Sequence, residues 1–271
     1  MHLMDRRGFA LVLVALIALS CSTVPITGRR QLNFIPAETM LSMSFQQYGA
    51  FMDTSTVSAN AAQTAMVRRV GQRIQTAVEA YFAQHNLTDQ LDGYAWEFNL
   101  IESPEVNAWC MPGGKVVVYT GLMKLVGNEK ELAVVMGHEI AHAVAEHGGE
   151  RMSQGLLTQF GGMALAKALE EKPAETQQLW MAAFGLGAQV GVLLPYSRAH
   201  ESEADRLGLI FMAMAGYDPH AALTFWQKMA AQGSGASVPE FISTHPSDET
   251  RIRKIEELMP EAMGYYKPSQ G

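Results

Sequence analysis

The stretch MGHEIAHAVAEH, residues 136–147, contains two histidines four residues apart, with a glutamate directly after the first. Because an α-helix turns once in about 3.6 residues, His138 and His142 would project from the same face, where two imidazoles can share one metal ion. Glu139 would lie beside them, as in the His-Glu-x-x-His zinc helix, where the glutamate acts on water and does not bind the metal. The alternative is a core helix that merely contains histidines.

The flanking sequence favours the metal site. Apolar residues recur at helical spacing through the segment, at Leu132, Val135, Met136, Ile140 and Val144. This pattern predicts a buried amphipathic helix from about residue 129 to 147. Buried imidazoles that lack a metal or a hydrogen-bond partner are costly, so two of them on such a helix indicate a ligand.

A zinc ion in a peptidase needs a third protein ligand and an open position for water. The segment YSRAHESEADRLGLIFMAMAGY, residues 196–217, predicts a second buried helix on which Glu201 and Asp205 lie one turn apart. Glu201 could reach the metal, and Asp205 could hold a ligating histidine in place. A carboxylate pair at this spacing is more often a solvated helix face, so this prediction depends on the upstream motif.

The sequence resembles a known family through several motifs in a fixed order. These are TGRRQL (27–32), NAWCMPGGKVVVYTGLM (107–123), HEIAH (138–142), ESEAD (201–205) and STHP (243–246). Together they resemble the HtpX-like gluzincin metallopeptidases, a family that also contains the type I CAAX prenyl endopeptidases. The similarity is greatest to the periplasmic lipoprotein branch, and it covers roughly residues 25 to 260.

The resemblance implies a mainly helical α+β fold, with a gluzincin-like metallopeptidase domain. It also implies that His138, His142 and Glu201 ligate one zinc ion per chain. Glu139 would then be the general base, and Asp205 would lie behind the ligands.

The residue types agree with this chemistry. Zinc lowers the pKa of water from about 16 to about 7, and Glu139 can accept its proton and pass it to the leaving amine. His245 is the candidate for a further donor to the developing oxyanion. Its alternatives are a loop histidine in a turn fixed by Pro246, and an inhibitory fourth ligand in the position of the water. Arg251 is expected to face solvent, the alternative being that it pairs with a site carboxylate.

Two β-type segments predict a small sheet packed on the zinc helix. YAWEFNLI (94–101) alternates in strand fashion, KVVVYT (115–120) is a β-branched run, and MPGG (111–114) supplies a turn. We expect an antiparallel sheet. An edge strand can pair with an extended substrate, and Asn107, Ala108 and Trp109 are the candidate edge, the alternative being an ordinary hairpin arm.

The amino terminus resembles a secretory signal peptide over residues 1–20. Arg6 and Arg7 precede an apolar core from Phe9 to Leu19, which is short for a membrane span. ALSC, residues 18–21, resembles a bacterial lipoprotein processing box with Cys21 as the lipidated residue, and Ser22 indicates outer-membrane sorting. Cleavage without lipidation and retention as an amino-terminal anchor are the alternatives. Residues 21–271 are predicted to form one zinc metallopeptidase domain with a core at about 30–260.

Cysteine content and net charge limit the disulfide bonds and the classes of partner that the chain can have. The chain has 2 cysteines, so a lipidated Cys21 would leave Cys110 as a free, buried thiol without a disulfide partner. The net charge of −7 argues against nucleic acid as a partner.

The remaining pattern is helical, with predicted helices at 37–52, 59–85, 219–232 and 247–259. Residues 148–195 predict a hairpin of two helices, rich in Gly and Ala, with a break at Lys172 and Pro173. Its second arm, Leu179–Leu194, is too short to span a membrane, so we expect a packed helix. A lid over the cleft and a membrane-facing surface are the alternatives.

The sequence therefore predicts a zinc endopeptidase of the bacterial cell envelope, lipid-anchored on the periplasmic face and sorted to the outer membrane. From the resemblance alone, its substrates would be misfolded or misassembled envelope proteins. The alternative function is a latent or chaperone-like lipoprotein that binds proteins and has a self-inhibited zinc site.

Overall fold

The structure is a computed structural model that describes residues 21–24, 27–170, 172, 174–188, 194–232, 241, 245 and 249–268. The predicted signal peptide, residues 1–20, lies outside the described residues. The chain divides into two compact units, one made from the described residues of Met1–Ala37 and Glu146–Arg198, the other from those of Glu38–Ala145 and Ala199–Gly271. The single-domain organisation of residues 21–271 stays a prediction.

The described elements are mainly helical, which confirms the expected α+β class. In chain order they are β1 (Cys21–Thr23), β2 (Arg30–Leu32), α1 (Ala37–Thr54), α2 (Ala61–Gln84), a 3₁₀ turn (Thr88–Leu91), β3 (Glu97–Ile101), β4 (Ala108–Met111), β5 (Lys115–Tyr119), α3 (Thr120–Met123), α4 (Glu129–Val144), α5 (His147–Ala168), α6 (Ala174–Ala188), α7 (Leu194–Met214), α8 (Ala221–Gln232) and α9 (Glu249–Tyr265). The helices predicted from apolar spacing all form, with ends shifted by a few residues.

The larger unit contains a three-stranded sheet in the order β3, β5, β4. β4 and β5 form the predicted hairpin, with Ala108 opposite Val118, but β3 runs parallel to β5. The sheet is therefore mixed, and the prediction of an antiparallel sheet was wrong. Val116, Val117 and Val118 are fully buried, because β5 is the central strand and its side chains are covered on both faces.

Helix α4 is the central helix of the larger unit. It packs against β4, α2 and α8, so the predicted contact between the sheet and the zinc helix is confirmed. Fourteen of its residues, Glu131–Val144, are buried, which agrees with the apolar spacing in the sequence. His138 and His142 thus lie on a helix that is fixed on several sides.

In the smaller unit, the TGRRQL segment packs on the start of α5. Arg29 donates two hydrogen bonds to the buried carboxylate of Glu150, at 3.1 and 2.7 Å. Asn33 Nδ2 donates to Glu146 Oε2 at 2.9 Å, and Glu146 itself has a left-handed backbone conformation with φ of 57°. Through these bonds, the polar segment around TGRRQL holds the start of α5, the helix that follows the histidines in the chain.

Helices α5 and α6 form the predicted hairpin in the smaller unit. The Phe184 ring of α6 lies against Gly161 and Gly162 of α5, where a Cβ atom on Gly161 would be 3.0 Å from the ring. Trp180 and Met181 of α6 are 56% and 36% exposed, so α6 packs on α5 through one side and leaves these two residues uncovered. None of the described helices combines the length and the apolar character needed to cross a membrane.

Candidate metal centre

The centre forms where α4 crosses α7 at a contact between two glycines. A Cβ atom on Gly208 would lie 2.9 Å from the backbone N of His138, and one on Gly137 would lie 3.0 Å from Gly208 O. The two backbones therefore touch. This close approach brings the middle turns of α7, with Glu201 and Asp205, to the face of α4 that carries the histidines.

The start of α4 is fixed by a side-chain cap. Asn128 Oδ1 accepts hydrogen bonds from the backbone N–H groups of Lys130 and Glu131, at 3.0 and 3.1 Å. Such a cap satisfies two of the free N–H groups at a helix start and stabilises the helix by about 1 kcal/mol. The helical register that aligns His138 with His142 is thereby set from its first turn.

Four side chains of the larger unit direct one donor group each toward a common point: His138, His142, Glu201 and His245. His138 Nε2 lies 3.1 Å from His142 Nε2 and 3.1 Å from His245 Nδ1. The Glu201 carboxylate lies 3.3 Å from His138 Nε2, 3.2 Å from His142 Nε2 and 3.0 Å from His245 Nδ1. The sequence-predicted ligands are thus brought together.

These separations fit a zinc ion. Four ligands at about 2.0–2.1 Å from a tetrahedral zinc lie about 3.3–3.4 Å from one another, close to the distances found. His138 Nδ1 lies 3.0 Å from Asp205 Oδ1 and can donate to it only if Nδ1 carries the proton, which leaves the lone pair of Nε2 facing the other donors. Facing lone pairs repel one another unless a cation lies between them.

The pKa values of His138 and Glu201 are shifted by their close contacts with each other and with neighbouring groups. Burial lowers the pKa of His138, but its hydrogen bonds to Asp205 and Glu201 outweigh burial and raise that pKa to about 9. Burial raises the pKa of Glu201, but hydrogen bonds from the three histidines outweigh it and hold that pKa well below its usual value. The Glu201 carboxylate is therefore negatively charged, and the two carboxylates favour a positive charge at His138, which a bound cation would supply in place of a proton.

Behind His138 lies a buried group formed by Asp205, Arg251 and Trp226. Arg251 donates to both carboxylate oxygens of Asp205, at 2.8 and 2.7 Å, and its guanidinium lies 3.5 Å from the centre of the Trp226 ring. It also donates to His245 O at 3.1 Å. Arg251 is 7% exposed, so the expectation that it faces solvent was wrong. Its guanidinium bonds both to Asp205, the partner of His138, and to the backbone of His245.

Burial raises the pKa of Asp205, but the charge of Arg251 and the bond to His138 outweigh it and lower that pKa. Asp205 is therefore a carboxylate acceptor, placed where the sequence predicted it. Trp226 carried no signal in the sequence, because nothing in its spacing from the histidines indicates a contact.

Glu139 is 5% exposed and lies at the other side of His245. Its Oε1 is 3.4 Å from His245 Nε2, whereas His245 Nδ1 faces the donor group. The His245 ring thus lies between Glu139 and the other three residues of the group, which are His138, His142 and Glu201. His147 and His200 are buried and do not belong to the donor group.

Cys110 lies on β4 and is a free, partly buried thiol. Burial, together with the negative charge of Glu139, raises the pKa of Cys110 well above its usual value. The protonated thiol is therefore favoured over the reactive thiolate.

Strand β4 is an edge of the sheet among the described strands, since it pairs with β5 and no other described strand lies on its outer side. Trp109 packs edge-on against Phe51 at 5.0 Å and donates to Tyr119 Oη at 3.3 Å, so its side chain supports the strand. Asn107 precedes the strand, and its O accepts from Tyr119 N at 3.1 Å. The main chain of Ala108–Met111 thus has one side available for pairing.

Comparison with known proteins gives a family match over most of the chain. The profile of Peptidase family M48 matches residues 67–259, which include the four donor residues, Glu139, Asp205 and Arg251.

Several proteins with assigned names are similar to the chain. The mitochondrial metalloendopeptidase OMA1 of Schizosaccharomyces pombe is 35% identical over 88% of this chain and 66% of its own length. The human mitochondrial metalloendopeptidase OMA1 is 30% identical over 94% of this chain and 49% of its own. The beta-barrel assembly-enhancing protease of Escherichia coli is 30% identical over 58% of this chain and 33% of its own. The chain thus spans between one third and two thirds of the length of these relatives.

Proposed function

The chain belongs to peptidase family M48, whose members are zinc metallopeptidases, and we propose that it is an endopeptidase of the bacterial cell envelope that degrades misfolded or misassembled proteins. The observation that carries the proposal is the convergence of His138, His142 and Glu201, with Glu139 beside them. The name of the Escherichia coli relative, a protease that enhances β-barrel assembly, supports a substrate in the envelope. The other relatives are named as mitochondrial and do not support a bacterial envelope, so the proposed compartment depends on the sequence of residues 1–21.

In this proposal His138, His142 and Glu201 hold the zinc ion. The bound ion supplies a Lewis acid, which polarises the substrate carbonyl and brings the pKa of water to about 7. Glu139 accepts a proton from the attacking water and delivers it to the leaving amine. Asp205 accepts the hydrogen bond from His138 Nδ1 and so keeps Nε2 as the ligating nitrogen.

The outer edge of β4 is the proposed substrate contact. An extended peptide that pairs with Ala108–Met111 would bind through main-chain hydrogen bonds, which confer affinity with little sequence selectivity. Asn107, Ala108 and Trp109 would form the start of this contact. Such binding suits extended, non-native chains, since folded proteins rarely present a free strand.

The test is cleavage of casein, an unfolded substrate, together with the zinc content of each variant. We expect Glu139→Gln to retain zinc and to lose cleavage by about 10²- to 10⁴-fold, because it removes proton transfer and leaves the ligands in place. Glu257→Gln, at an exposed position of α9, is the matched control and should cleave as the wild type does. Cleavage that survives in Glu139→Gln would defeat the mechanism.

A second candidate is a latent or chaperone-like protein in which His245 closes the zinc site. It is favoured by the position of His245 Nδ1, which completes the four-donor group where a catalytic site keeps room for water. Its Nε2 also faces Glu139. Release of His245 would then be the step that activates the peptidase.

Replacement of His245 separates latency from a direct role in the reaction. If His245 closes the site, His245→Ala should raise the basal rate of casein cleavage, because the fourth position becomes available to water. His220→Ala, at an exposed histidine paired with Asp218, is the control and should leave the rate unchanged. A lower rate in His245→Ala would instead assign His245 to oxyanion stabilisation and discard latency.

We also propose that Cys21 carries the lipid anchor and that the chain faces the periplasm from the outer membrane. The processing box at residues 18–21, Ser22 and the resemblance to the lipoprotein branch of the HtpX-like peptidases support this proposal. The side chain of Cys21 lies outside the described part of the structure. Mass spectrometry of the chain purified from bacterial membranes tests it: an acylated peptide that starts at Cys21 is expected, and an unmodified Cys21 would refute the anchor.

A further inference from the structure

Exposed apolar side chains are concentrated on the α5–α6 hairpin. Of the seven large apolar residues that are exposed in the described chain, six lie on these two helices: Met152, Leu157, Phe160, Met163, Trp180 and Met181. Phe160 is 60% exposed and Trp180 is 56% exposed. Single exposed apolar residues are ordinary on a protein surface. Several on one hairpin, including two aromatic rings, indicate a surface that contacts a partner or a membrane.

The exposed residues of α5 share one side of the helix. At 100° per residue, Met152, Leu157, Phe160 and Met163 fall within an arc of about 140°. Gly161 and Gly162, which receive the Phe184 ring of α6, fall outside this arc. The apolar arc is therefore separate from the contact that holds the hairpin together.

Charge is absent from the same region of the sequence. Residues 152–166 and 176–188 contain no Asp, Glu, Lys or Arg, whereas Arg151 and Lys167 flank the first segment. Lys167 pairs with Glu170 near the end of α5. Over its described residues, neither helix is long and apolar enough to cross a membrane. Helices that carry aromatic and apolar residues on one face can instead lie in the interface of a bilayer.

We propose that the α5–α6 hairpin rests the apolar arc of α5, which includes Phe160 and Met163, on the surface of a phospholipid bilayer. The contact is additional to any anchor at Cys21. Because the face has no cationic residues, it binds neutral lipid through apolar insertion and needs no anionic headgroups.

The path of the chain identifies the bilayer as the occupant. The apolar run Phe9–Leu19 leads directly into β1, which pairs with β2. The segment around β2 is bonded to α5 within the same compact unit, through Arg29 with Glu150 and through Phe34 N with Ser153 Oγ at 2.9 Å. A bilayer that holds the amino-terminal segment, or a lipid on Cys21, therefore holds the hairpin at high local concentration near its surface.

The test uses an environment-sensitive dye on single cysteines in the full chain, with Cys21→Ser and Cys110→Ser as the background. The dye is placed at Phe160→Cys and, as a second position on the arc, at Met163→Cys. Gly155→Cys on α5, where a Cβ atom meets nothing within 4 Å, and Lys254→Cys on α9 are the controls. Vesicles of phosphatidylcholine and phosphatidylethanolamine are added, with and without a nitroxide-labelled lipid that quenches the dye.

We expect the emission at positions 160 and 163 to shift to shorter wavelength with vesicles and to be quenched by the nitroxide lipid. Emission at positions 155 and 254 should change little. Equal quenching at all four positions, or none at any, would overturn the proposal. A shift to shorter wavelength in the absence of vesicles would also overturn the proposal. If that shift grows with protein concentration, a second copy of the chain covers the apolar arc. If it does not, residues 9–19 of the same chain cover it.

Discussion

His138 depends on residues that do not reach the metal. Asp205 accepts from its Nδ1, and Arg251 fixes both oxygens of Asp205 while it stacks on Trp226. The spacing of HEIAH and ESEAD was sufficient to predict the ligands and Asp205, because helical periodicity places them on defined faces. It could not predict Arg251, whose partner lies 46 residues earlier in the chain, because no local period connects the two.

Removal of the Asp205 carboxylate should weaken zinc binding without removing a ligand. We expect Asp205→Ala to bind zinc about 10- to 100-fold more weakly, because His138 loses the acceptor that fixes its tautomer and the buried Arg251 loses the carboxylate that holds it at two oxygens. Competition with a zinc chelator measures the affinity. Arg253→Lys, at an exposed position on α9, is the control. Wild-type affinity in Asp205→Ala would show that the hydrogen bond does not support the metal.

At the scale of elements, the crossing of α4 and α7 and the hairpin of β4 and β5 position the site. The helices and the hairpin were predictable, because apolar spacing and the MPGG turn are local signals. The order of the strands was not predictable from the sequence. β3 can pair with either edge of the hairpin and keep the same alternation of buried and exposed side chains. Because β3 pairs with β5, β4 has no second partner among the described strands, and the proposed substrate contact depends on this edge.

The glycine contact between α4 and α7 leaves no room for an added methyl group. Gly208→Ala would place its Cβ atom 2.9 Å from His138 N, so the helices must separate. We expect the chain to lose about 1–3 kcal/mol of unfolding free energy and to bind zinc more weakly. Gly49→Ala, in α1 where a Cβ atom meets nothing within 4 Å, should instead stabilise by about 0.5–1 kcal/mol. Urea unfolding measures both, and a neutral Gly208→Ala would contradict the close crossing.

At the scale of the molecule, the donor group and the candidate base belong to one compact unit, whereas the exposed α5–α6 face belongs to the other. The sequence predicted the hairpin from its Gly- and Ala-rich pattern. It could not predict which apolar residues stay exposed, because Phe160 and Trp180 have the same hydropathy whether a helix packs on protein or faces lipid. The proposed membrane contact is therefore inferred from the exposure of these side chains, which only the structure provides.

The central claim is that two imidazoles of α4 and the Glu201 carboxylate of α7 bind one zinc ion. The most direct measurement is an anomalous difference map, at the zinc absorption edge, from crystals of the zinc-loaded chain. The account predicts a single strong peak about 2.0–2.2 Å from His138 Nε2, His142 Nε2 and a Glu201 carboxylate oxygen. A peak elsewhere, or a Glu201 side chain directed away from it, would contradict the account.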